Sequence, residues 1–332
     1  MNLLLRICEH CPILTNHLIW KLSSFYAMCK TSAIRYPDNK CFILNTLCTI
    51  LIQEDSIMSK DRLGLRLYSH KNSPSWLKKL IYFRWAFNNW QLEKQERKNS
   101  NNNIFEVSLN EKDRVYFELP VLKDLIASNI IISKQFFEHD YLLVISSLLN
   151  QPKCIIDVGA NIGNHTLYFS KYWKEAKIYA FEPVSFIFNL LQRNIQLNNL
   201  SNTHCFNAAV GDREGVGRVA YNGQSEHNLG ATRVDYCDTG EIPFLTLDEF
   251  ILEHNVQTID LIKIDVEGFE LKVLNGMKQL INQYNPYIWV EVLDDNKSKA
   301  MALFEELDLT FMSAPHFNQQ HDYLLRRKTN IA

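Results

Sequence analysis

The chain has 332 residues, of which 46% are hydrophobic and 22% charged, a composition that argues against a disordered protein and supports a sizeable core. Its length fits one large domain, or a domain of ordinary size with an accessory segment. The net charge of −2 by itself indicates no partner, but residues 1–100 carry fifteen Lys/Arg against seven Asp/Glu. A basic segment therefore precedes an acidic remainder.

Residues 1–100 are predicted to form a mainly helical extension of unknown role. Within it, aromatic and leucine residues recur every three or four positions, which predicts an amphipathic helix over 76–90. Such a helix suits packing on a neighbouring domain, and a basic one also suits peripheral membrane contact. These recurring positions are Trp76, Leu80, Phe83 and Phe87.

No targeting or spanning segment is expected in this extension. Arg6 interrupts the apolar run at residues 1–7, which leaves no adequate core for a signal peptide. The densest apolar stretch, residues 41–52, is shorter than the ~20 residues that a membrane helix requires. We therefore expect a cytoplasmic protein.

Beyond the extension, the pattern changes to that of an α/β protein. A lead-in hairpin and helix are predicted within 101–150, and a catalytic domain within 151–328, where strands and helices alternate as in βαβ units. This alternation predicts a mostly parallel sheet covered by helices. The predicted strands are 105–109, 115–119, 154–158, 177–181, 203–209, 216–221, 232–236, 259–264, 287–292, 309–313 and 322–327, and the predicted helices 138–149, 164–173, 185–197, 246–254, 269–283 and 297–307.

The most informative segment is a strand followed by a glycine turn at residues 154–163, which read Cys-Ile-Ile-Asp-Val-Gly-Ala-Asn-Ile-Gly. A strand, tight turn and helix start of this kind presents backbone N–H groups to a nucleotide-like ligand. A phosphate-binding loop would require Lys-Ser/Thr after Gly163, where Asn164 and His165 stand. A dinucleotide fingerprint would require glycines at Asn161 and Asn164, so a nicotinamide oxidoreductase is disfavoured.

Acidic residues end the following predicted strands. Glu182 follows the next strand, where its two oxygens can accept hydrogen bonds from a ribose diol. Asp212 follows the third strand, where it can accept from an adenine amino group. With Asp157 they form a row that fits adenosine carrying an amino-acid tail. Five short segments then keep a fixed order along the chain: 156–163, 181–183, 209–212, 245–248 and 262–270.

In this order and spacing, the five segments resemble the motifs of the FkbM family of S-adenosylmethionine-dependent methyltransferases, over about half the chain. The Asp-Val-Glu-Gly element at 265–268 is the most diagnostic of them. The resemblance implies a class I (Rossmann-like) methyltransferase fold with a mostly parallel seven-stranded sheet and helices on both faces. It also implies O-methylation of a hydroxyl on a sugar, glycan or small natural product, with S-adenosylmethionine as donor.

By the same resemblance, each motif residue takes a role at the donor. The turn lies under the methionine part, Asp157 holds that turn and its ordered water, Glu182 binds the ribose and Asp212 faces the adenine. Asp265 belongs near the sulfonium, since strand ends of parallel sheets face the ligand crevice. The turn residues are Gly159, Asn161 and Gly163.

Methyl transfer further requires a group that takes the proton of the acceptor. Asp265 and Glu267 are the predicted catalytic residues, although Glu267 could instead start the next helix. His165 and His227 are alternative bases if they face the cleft. His227 and Asn228 also resemble the family's Asn-x-Gly segment over the active site.

No metal site is predicted, because no His or further carboxylates accompany Asp265 and Glu267 at a fixed spacing. The predicted acceptor is a small molecule or glycan. A nucleic-acid partner is not expected, since residues 285–287 lack the second proline of the Asn/Asp-Pro-Pro-aromatic motif. The alternative function is a donor-binding scaffold without catalysis, or a membrane-docking interaction module.

Overall fold

The structure is a computed structural model that describes residues 103–119, 124–220, 232–318 and 321–328. The predicted extension 1–100 with its amphipathic helix, and the segment that holds His227 and Asn228, lie outside these residues.

A hairpin and two helices lead into the main domain. The hairpin pairs β1 (Ile104–Ser108) with β2 (Arg114–Glu118) in antiparallel register, as the alternating pattern predicts. The helices are α1 (Leu125–Ser133) and α2 (His139–Leu148). Helix α1 was missed by the sequence analysis, although its N-cap Asp124 accepts from the N–H groups of Ile126 and Ala127 in the usual way.

The main domain alternates strands and helices in chain order. They are β3 (Cys154–Val158), α3 (Asn164–Tyr172), β4 (Lys177–Phe181), α4 (Ser185–Leu197), β5 (Thr203–Phe206), β6 (Ala209–Val210), β7 (Gly215–Ala220), β8 (Arg233–Tyr236), β9 (Ile242–Leu245), α5 (Leu247–Glu253), β10 (Leu261–Ile264), α6 (Glu270–Asn275), α7 (Lys278–Tyr284), β11 (Tyr287–Glu291), α8 (Lys297–Glu306), β12 (Leu309–Phe311) and β13 (Asp322–Arg327).

Seven of these strands form one sheet in the order β12-β13-β11-β10-β3-β4-β5. The strands from β11 to β5 are parallel, whereas β13 runs antiparallel to both β11 and β12. This is the predicted class I methyltransferase sheet, and its fold class is confirmed. A separate four-stranded sheet, β6-β9-β7-β8, is formed by the segment between β5 and α5.

Apolar side chains cover both faces of the large sheet, because neighbouring strand residues point to opposite faces. Ile155, Leu261 and Trp289 pack on one face against the hairpin and α1 to α4. Ile156 and Ile262 pack on the other face against α5 to α8. Polar residues on the first face are therefore buried unless they lie at the edge where the parallel strands end.

Two predicted elements have different bounds in the structure. The strand predicted at 203–209 ends at Phe206, because Ala209 and Val210 leave the large sheet and pair with β9. The helix predicted at 269–283 divides into α6 and α7 at Gly276. A Cβ on Gly276 would lie 1.9 Å from the carbonyl oxygen of Gly211, so only glycine allows this close approach.

The motif at 245–248 is structural. Thr246 caps α5, since its hydroxyl accepts from the Glu249 N–H and donates to the Glu249 carboxylate. Asp248 accepts from the N–H groups of Gln279 and Leu280 at the start of α7. The motif thus fixes two helix termini against each other. Among the described residues, no helix combines the length and the apolar character that a membrane crossing requires.

Candidate functional site

The glycine turn lies at the edge where β3 and β4 end. The N–H groups of Gly159 and Ala160 both donate to the carbonyl oxygen of Phe181, at 3.0 and 2.9 Å, so the turn folds over the end of β4. Gly163 then begins α3 as its N-cap, with φ of +95°. The strand, turn and helix of the sequence prediction are therefore present.

Gly159 is required by two constraints. Its φ is +83°, a conformation that L side chains rarely adopt. A Cβ at this position would lie 1.8 Å from the carbonyl oxygen of Asp265, which follows β10. The turn is therefore in direct contact with the backbone of Asp265, and the structure brings these two predicted site residues together.

Glu182 binds the glycine turn through its carboxylate. Its Oε2 accepts from the N–H of Asn161 at 3.0 Å, and its Oε1 accepts from the N–H of Val184 at 2.9 Å. Each oxygen keeps a further lone pair for a ligand. The Asn207 side chain braces this loop by donating to the carbonyl oxygens of Glu182 and Pro183.

The Glu182 side chain is nearly enclosed, with 5% of the residue exposed. Burial raises the pKa of Glu182 to about 7, against the opposing effect of the Val184 and Asn161 N–H donors. The carboxylates of Asp157 and Asp265 contribute to the same rise. A ligand that donates hydrogen bonds to this carboxylate would stabilise its ionised form.

A buried lysine joins the two strands that flank the turn. Lys263 on β10 is 2% exposed, and its Nζ lies 3.4 Å from Asp265 Oδ2 and 3.9 Å from Asp157 Oδ1. Burial by itself lowers the pKa of an ammonium, but the carboxylates of Asp265 and Asp157, then Glu138 and Glu291, outweigh it. The pKa of Lys263 therefore lies above its ordinary value, and the site carries a buried ammonium at neutral pH.

Asp157 is wholly buried, and its two carboxylate oxygens differ in their hydrogen bonding. Its Oδ2 accepts from the Thr166 hydroxyl at 2.6 Å, whereas its Oδ1 has no hydrogen-bond donor among the described residues. An unmatched carboxylate oxygen is costly in the interior, so this atom fits a water or a ligand donor. The predicted role of Asp157 in holding the turn and an ordered water stays a prediction, since its hydrogen bond among the described residues is to Thr166 on α3.

His165 and Glu138 lie on the same side of the sheet as Lys263. His165 Nε2 is 3.3 Å from Glu138 Oε2, and the imidazole packs edge-to-face on Trp289 with ring centroids 5.0 Å apart. Burial, and next the Lys263 ammonium, lower the pKa of His165 to about 3, so the ring is neutral near pH 7. Glu138 belongs to none of the five motif segments, so the sequence gives no signal for its place here.

Two further predicted residues occupy partly exposed positions. Asp212 follows β6 in the small sheet, and its carboxylate lies 3.9 Å from Lys272 Nζ and 3.7 Å from Arg213 Nη1. Glu267 lies in the turn between β10 and α6, with φ of 46°. Both side chains are therefore accessible to solvent or to a ligand.

The other acid of the 262–270 segment is structural. Glu270 is buried, and its carboxylate accepts from the Gly268 N–H at 2.7 Å and from the Asn296 amide at 3.0 Å. It fixes the turn that carries Glu267. Among the described residues, no group of three or more His, Cys, Asp or Glu side chains is arranged to hold a metal ion.

Several known proteins are similar to this chain. A sequence model of the family described as Methyltransferase FkbM domain matches residues 157–325, about half of the chain. Methyltransferase 1 of Beauveria bassiana is 29% identical over 143 residues, which cover 37% of this chain and 57% of that protein. Methyltransferase sdnD of Sordaria araneosa is 29% identical over 191 residues, with coverage of 46% and 70%.

A third relative and one solved structure complete the comparison. Hexuronic acid methyltransferase AglP of Haloferax volcanii is 25% identical over 194 residues, which cover 58% of this chain and 78% of that protein. The crystal structure of Methyltransferase FkbM from Methylobacillus flagellatus KT aligns with a TM-score of 0.39 and 17% identity. That alignment covers 60% of this chain and 54% of the other. The matches thus span little more than half of the Beauveria protein and of the crystallised one.

Proposed function

Because the chain belongs to the FkbM methyltransferase family, we propose that it is an S-adenosylmethionine-dependent methyltransferase. Its acceptor is a hydroxyl of a sugar, glycan or small natural product. The observation that carries this proposal is the glycine turn held by Glu182 and Asp265 within the matched domain. The name of the Haloferax relative, a hexuronic acid methyltransferase, supports a sugar-like acceptor.

The residues present fit the donor. Glu182 keeps free lone pairs at the end of β4 and accepts from the ribose diol, which stabilises the carboxylate in its ionised form. The turn at Gly159, Asn161 and Gly163 lies under the methionine part, where a Cβ on Gly159 would enter the Asp265 carbonyl. The unmatched Oδ1 of Asp157 can accept a hydrogen bond from the ligand or from a water at this end.

Asp212 accepts from the adenine amino group in this proposal. The alternative is that Asp212 has only a structural role, through its ion pairs with Lys272 and Arg213. Asp212→Asn should weaken S-adenosylmethionine and free adenosine by the same factor, because both carry the adenine. If Asp212→Asn leaves both affinities unchanged while the protein stays folded, the adenine contact is wrong.

When bound, the donor supplies a methyl group on a positively charged sulfur that is open to displacement. The chain must then hold the acceptor oxygen in line with that methyl group and take the hydroxyl proton. Asp265, 31% of whose side chain is exposed, and Glu267 in the adjacent turn are the carboxylates available for the proton. Asp265 also holds Lys263, so Glu267→Gln tests proton removal with the smaller disturbance of the buried ion pairs.

Calorimetry with S-adenosylmethionine is the first test. The wild type should bind it, and Glu182→Ala should bind it at least tenfold more weakly, since the ribose acceptor is lost. A wild type that binds neither S-adenosylmethionine nor S-adenosylhomocysteine would refute the proposal. Glu175→Gln, in an exposed loop on the chain's surface, is the control and should leave affinity unchanged.

A transfer assay with a labelled methyl group then separates the enzyme from the alternative scaffold. The acceptor panel should contain neutral, amino and uronic sugars together with metabolite extracts. Transfer to one acceptor, strongly reduced by Glu267→Gln while S-adenosylmethionine still binds, supports the enzyme. Donor binding without transfer to any acceptor would favour a scaffold that has lost catalysis.

A further inference from the structure

The glycine turn has a backbone shape that needs support from the surrounding structure. Gly159, Asn161 and Gly163 all have positive φ, of 83°, 50° and 95°. Left-handed residues at three of five positions are uncommon, and at the non-glycine Asn161 this conformation costs free energy. Such a shape persists where other groups of the protein hold its peptide units in place.

Two side chains hold peptide groups of neighbouring residues in this turn. Glu182 accepts from the Asn161 N–H at 3.0 Å. At the next residue, Asn194 Nδ2 donates to the Ile162 carbonyl oxygen at 2.9 Å. Because Gly163 is the N-cap of α3, the carbonyl of Ile162 precedes the hydrogen-bond ladder of that helix. The Asn194 side chain therefore supplies this carbonyl with a donor from a distant part of the chain.

Asn194 is also bound to the lead-in hairpin. The residue lies on α4 and is fully buried, and its Oδ1 accepts from the Glu118 N–H of β2 at 2.6 Å. Its Nδ2 lies 3.5 Å from the Glu118 carbonyl oxygen as well. A buried amide that is matched at both its oxygen and its nitrogen has a fixed orientation, since rotation would leave polar groups without partners. One side chain thus joins the hairpin to the glycine turn.

A second asparagine binds the same hairpin strand. Asn198 follows Asn194 by four residues, a spacing that keeps the two side chains on one side of the helix. It accepts from the Tyr116 N–H at 2.8 Å and donates to the Tyr116 carbonyl oxygen at 2.6 Å. Its amide also donates to the Asn194 carbonyl oxygen at 2.8 Å. Of the two asparagines, Asn194 is the one whose side chain bonds to the turn among the described residues.

We propose that Asn194 is a positioning residue for the methyl donor, which holds the turn in the shape that receives the methionine part. The inference rests on the proposed function, which puts the methionine part on this turn. Asn194 acts through the Ile162 carbonyl rather than by contact with the donor. Its loss should therefore weaken ligands that reach the turn and spare ligands that end at the ribose.

Calorimetry with two ligands separates this role from a general loss of structure. S-adenosylmethionine carries the methionine part, whereas free adenosine lacks it. We expect Asn194→Ala to weaken S-adenosylmethionine about fivefold, the size of one lost hydrogen bond, and adenosine less than twofold. A merely structural residue would weaken both ligands by the same factor.

Asn198→Ala is the matched control. It removes two hydrogen bonds to β2 and leaves the bond between Asn194 and Ile162, so both affinities should stay within about twofold of the wild type. The inference is overturned if Asn194→Ala weakens both ligands equally or neither, or if Asn198→Ala reproduces the selective loss. If the wild type binds neither ligand, the proposed function fails instead.

Hydrogen exchange on the wild type covers the case in which Asn194→Ala does not fold. Because one amide joins the turn to the Glu118 N–H, a ligand that fixes the turn should also slow the exchange of that N–H. The Tyr116 N–H, which Asn198 holds, is the internal reference for general stabilisation by the ligand.

S-adenosylmethionine should slow exchange at Glu118 more than at Tyr116, and adenosine should slow both alike. An equal effect of S-adenosylmethionine at the two positions, or the same selective effect of adenosine, would overturn the inference without any variant.

Discussion

Lys263 and Asp157 are opposite residues on the adjacent parallel strands β10 and β3, and their charged groups lie 3.9 Å apart. The ammonium is 2% exposed and the carboxylate is wholly buried. Lys263 Nζ also lies 3.4 Å from the carboxylate of Asp265, the residue that directly follows β10. One buried cation thus lies between the carboxylate of Asp157 on β3 and the carboxylate of Asp265 after β10.

Removal of this cation should be strongly destabilising. Lys263→Met leaves Asp157 and Asp265 without their cation, and breaking a buried ion pair from one side typically costs about 3–5 kcal/mol of unfolding free energy. Urea unfolding should be compared with Lys278→Met, which removes an exposed pair with Glu306 and should cost under about 1 kcal/mol. Equal losses in the two variants would show that the buried lysine has no special electrostatic role.

Gly159→Ala should disrupt both folding and donor binding. The added Cβ would lie 1.8 Å from the Asp265 carbonyl oxygen, so β3 and β10 must separate at their ends. Gly268→Ala is the comparison, because Gly268 also has positive φ (+102°) but its Cβ would meet no atom closer than 3.6 Å. Thermal unfolding should show a loss of about 1 kcal/mol for Gly268→Ala and clearly more for Gly159→Ala. Similar losses would mean that the protein accommodates the added Cβ beside Asp265 with little cost in unfolding free energy.

The stability of the ligand-free protein should depend on pH through Glu182. Its folded-state pKa, about 7, lies above the ordinary value of 4.5, so the folded state retains a proton that the unfolded chain releases. The stabilising effect of this proton is complete below pH 4.5 and is lost as pH rises through about 7. Over that window, wild-type stability should fall relative to Glu182→Gln by up to about 3 kcal/mol.

Chemical denaturation from pH 4 to 8 measures this difference. Because other titrating groups are common to both proteins, they cancel in the comparison of wild type with Glu182→Gln. A difference that is flat with pH, or that grows in favour of the wild type as pH rises, would contradict the prediction.

Asn164→Ala should loosen the segment that carries Glu138. The substitution leaves the N–H and the carbonyl oxygen of Phe137 without their partners in a largely buried place, which costs about 2–4 kcal/mol. The control is Asn275→Ala, where an exposed amide loses its bond to the Leu271 carbonyl and the cost should stay under about 1 kcal/mol. Hydrogen exchange should rise at the start of α2 in Asn164→Ala. Unchanged exchange there would show that the two hydrogen bonds between Asn164 and Phe137 do not hold this segment.

The regular elements were largely predictable, since they follow local patterns. Strands β3 and β4 and helix α4 have the bounds that periodicity predicts, 154–158, 177–181 and 185–197. Helix α1 was missed because the residues before it carry no clear periodic signal. The break between α6 and α7 was missed because its cause is the distant backbone of Gly211 rather than any local residue.

The candidate site was predictable in part for the same reason. The glycines and Glu182 stand at strand ends, and parallel strands must end at one edge, so the sequence is enough to bring them together. Lys263 is the one charged residue of the apolar strand β10, and this local pattern by itself gives it no role. Its role depends on the register that sets it opposite Asp157, and strand register is a property of the folded sheet.

By itself, the sequence determined the family, the class of sheet and the acids at its carboxyl edge, because strand, turn and helix signals are local and ordered along the chain. Only the tertiary structure decided that Glu270 and Asp248 fix helix termini, while Glu138, from outside every motif, lies against His165. Lys263 and Asp157, more than a hundred residues apart in the sequence, meet through strand register, and the Asn164 side chain bonds to the backbone of Phe137. Those relationships are set by packing, which no single segment encodes.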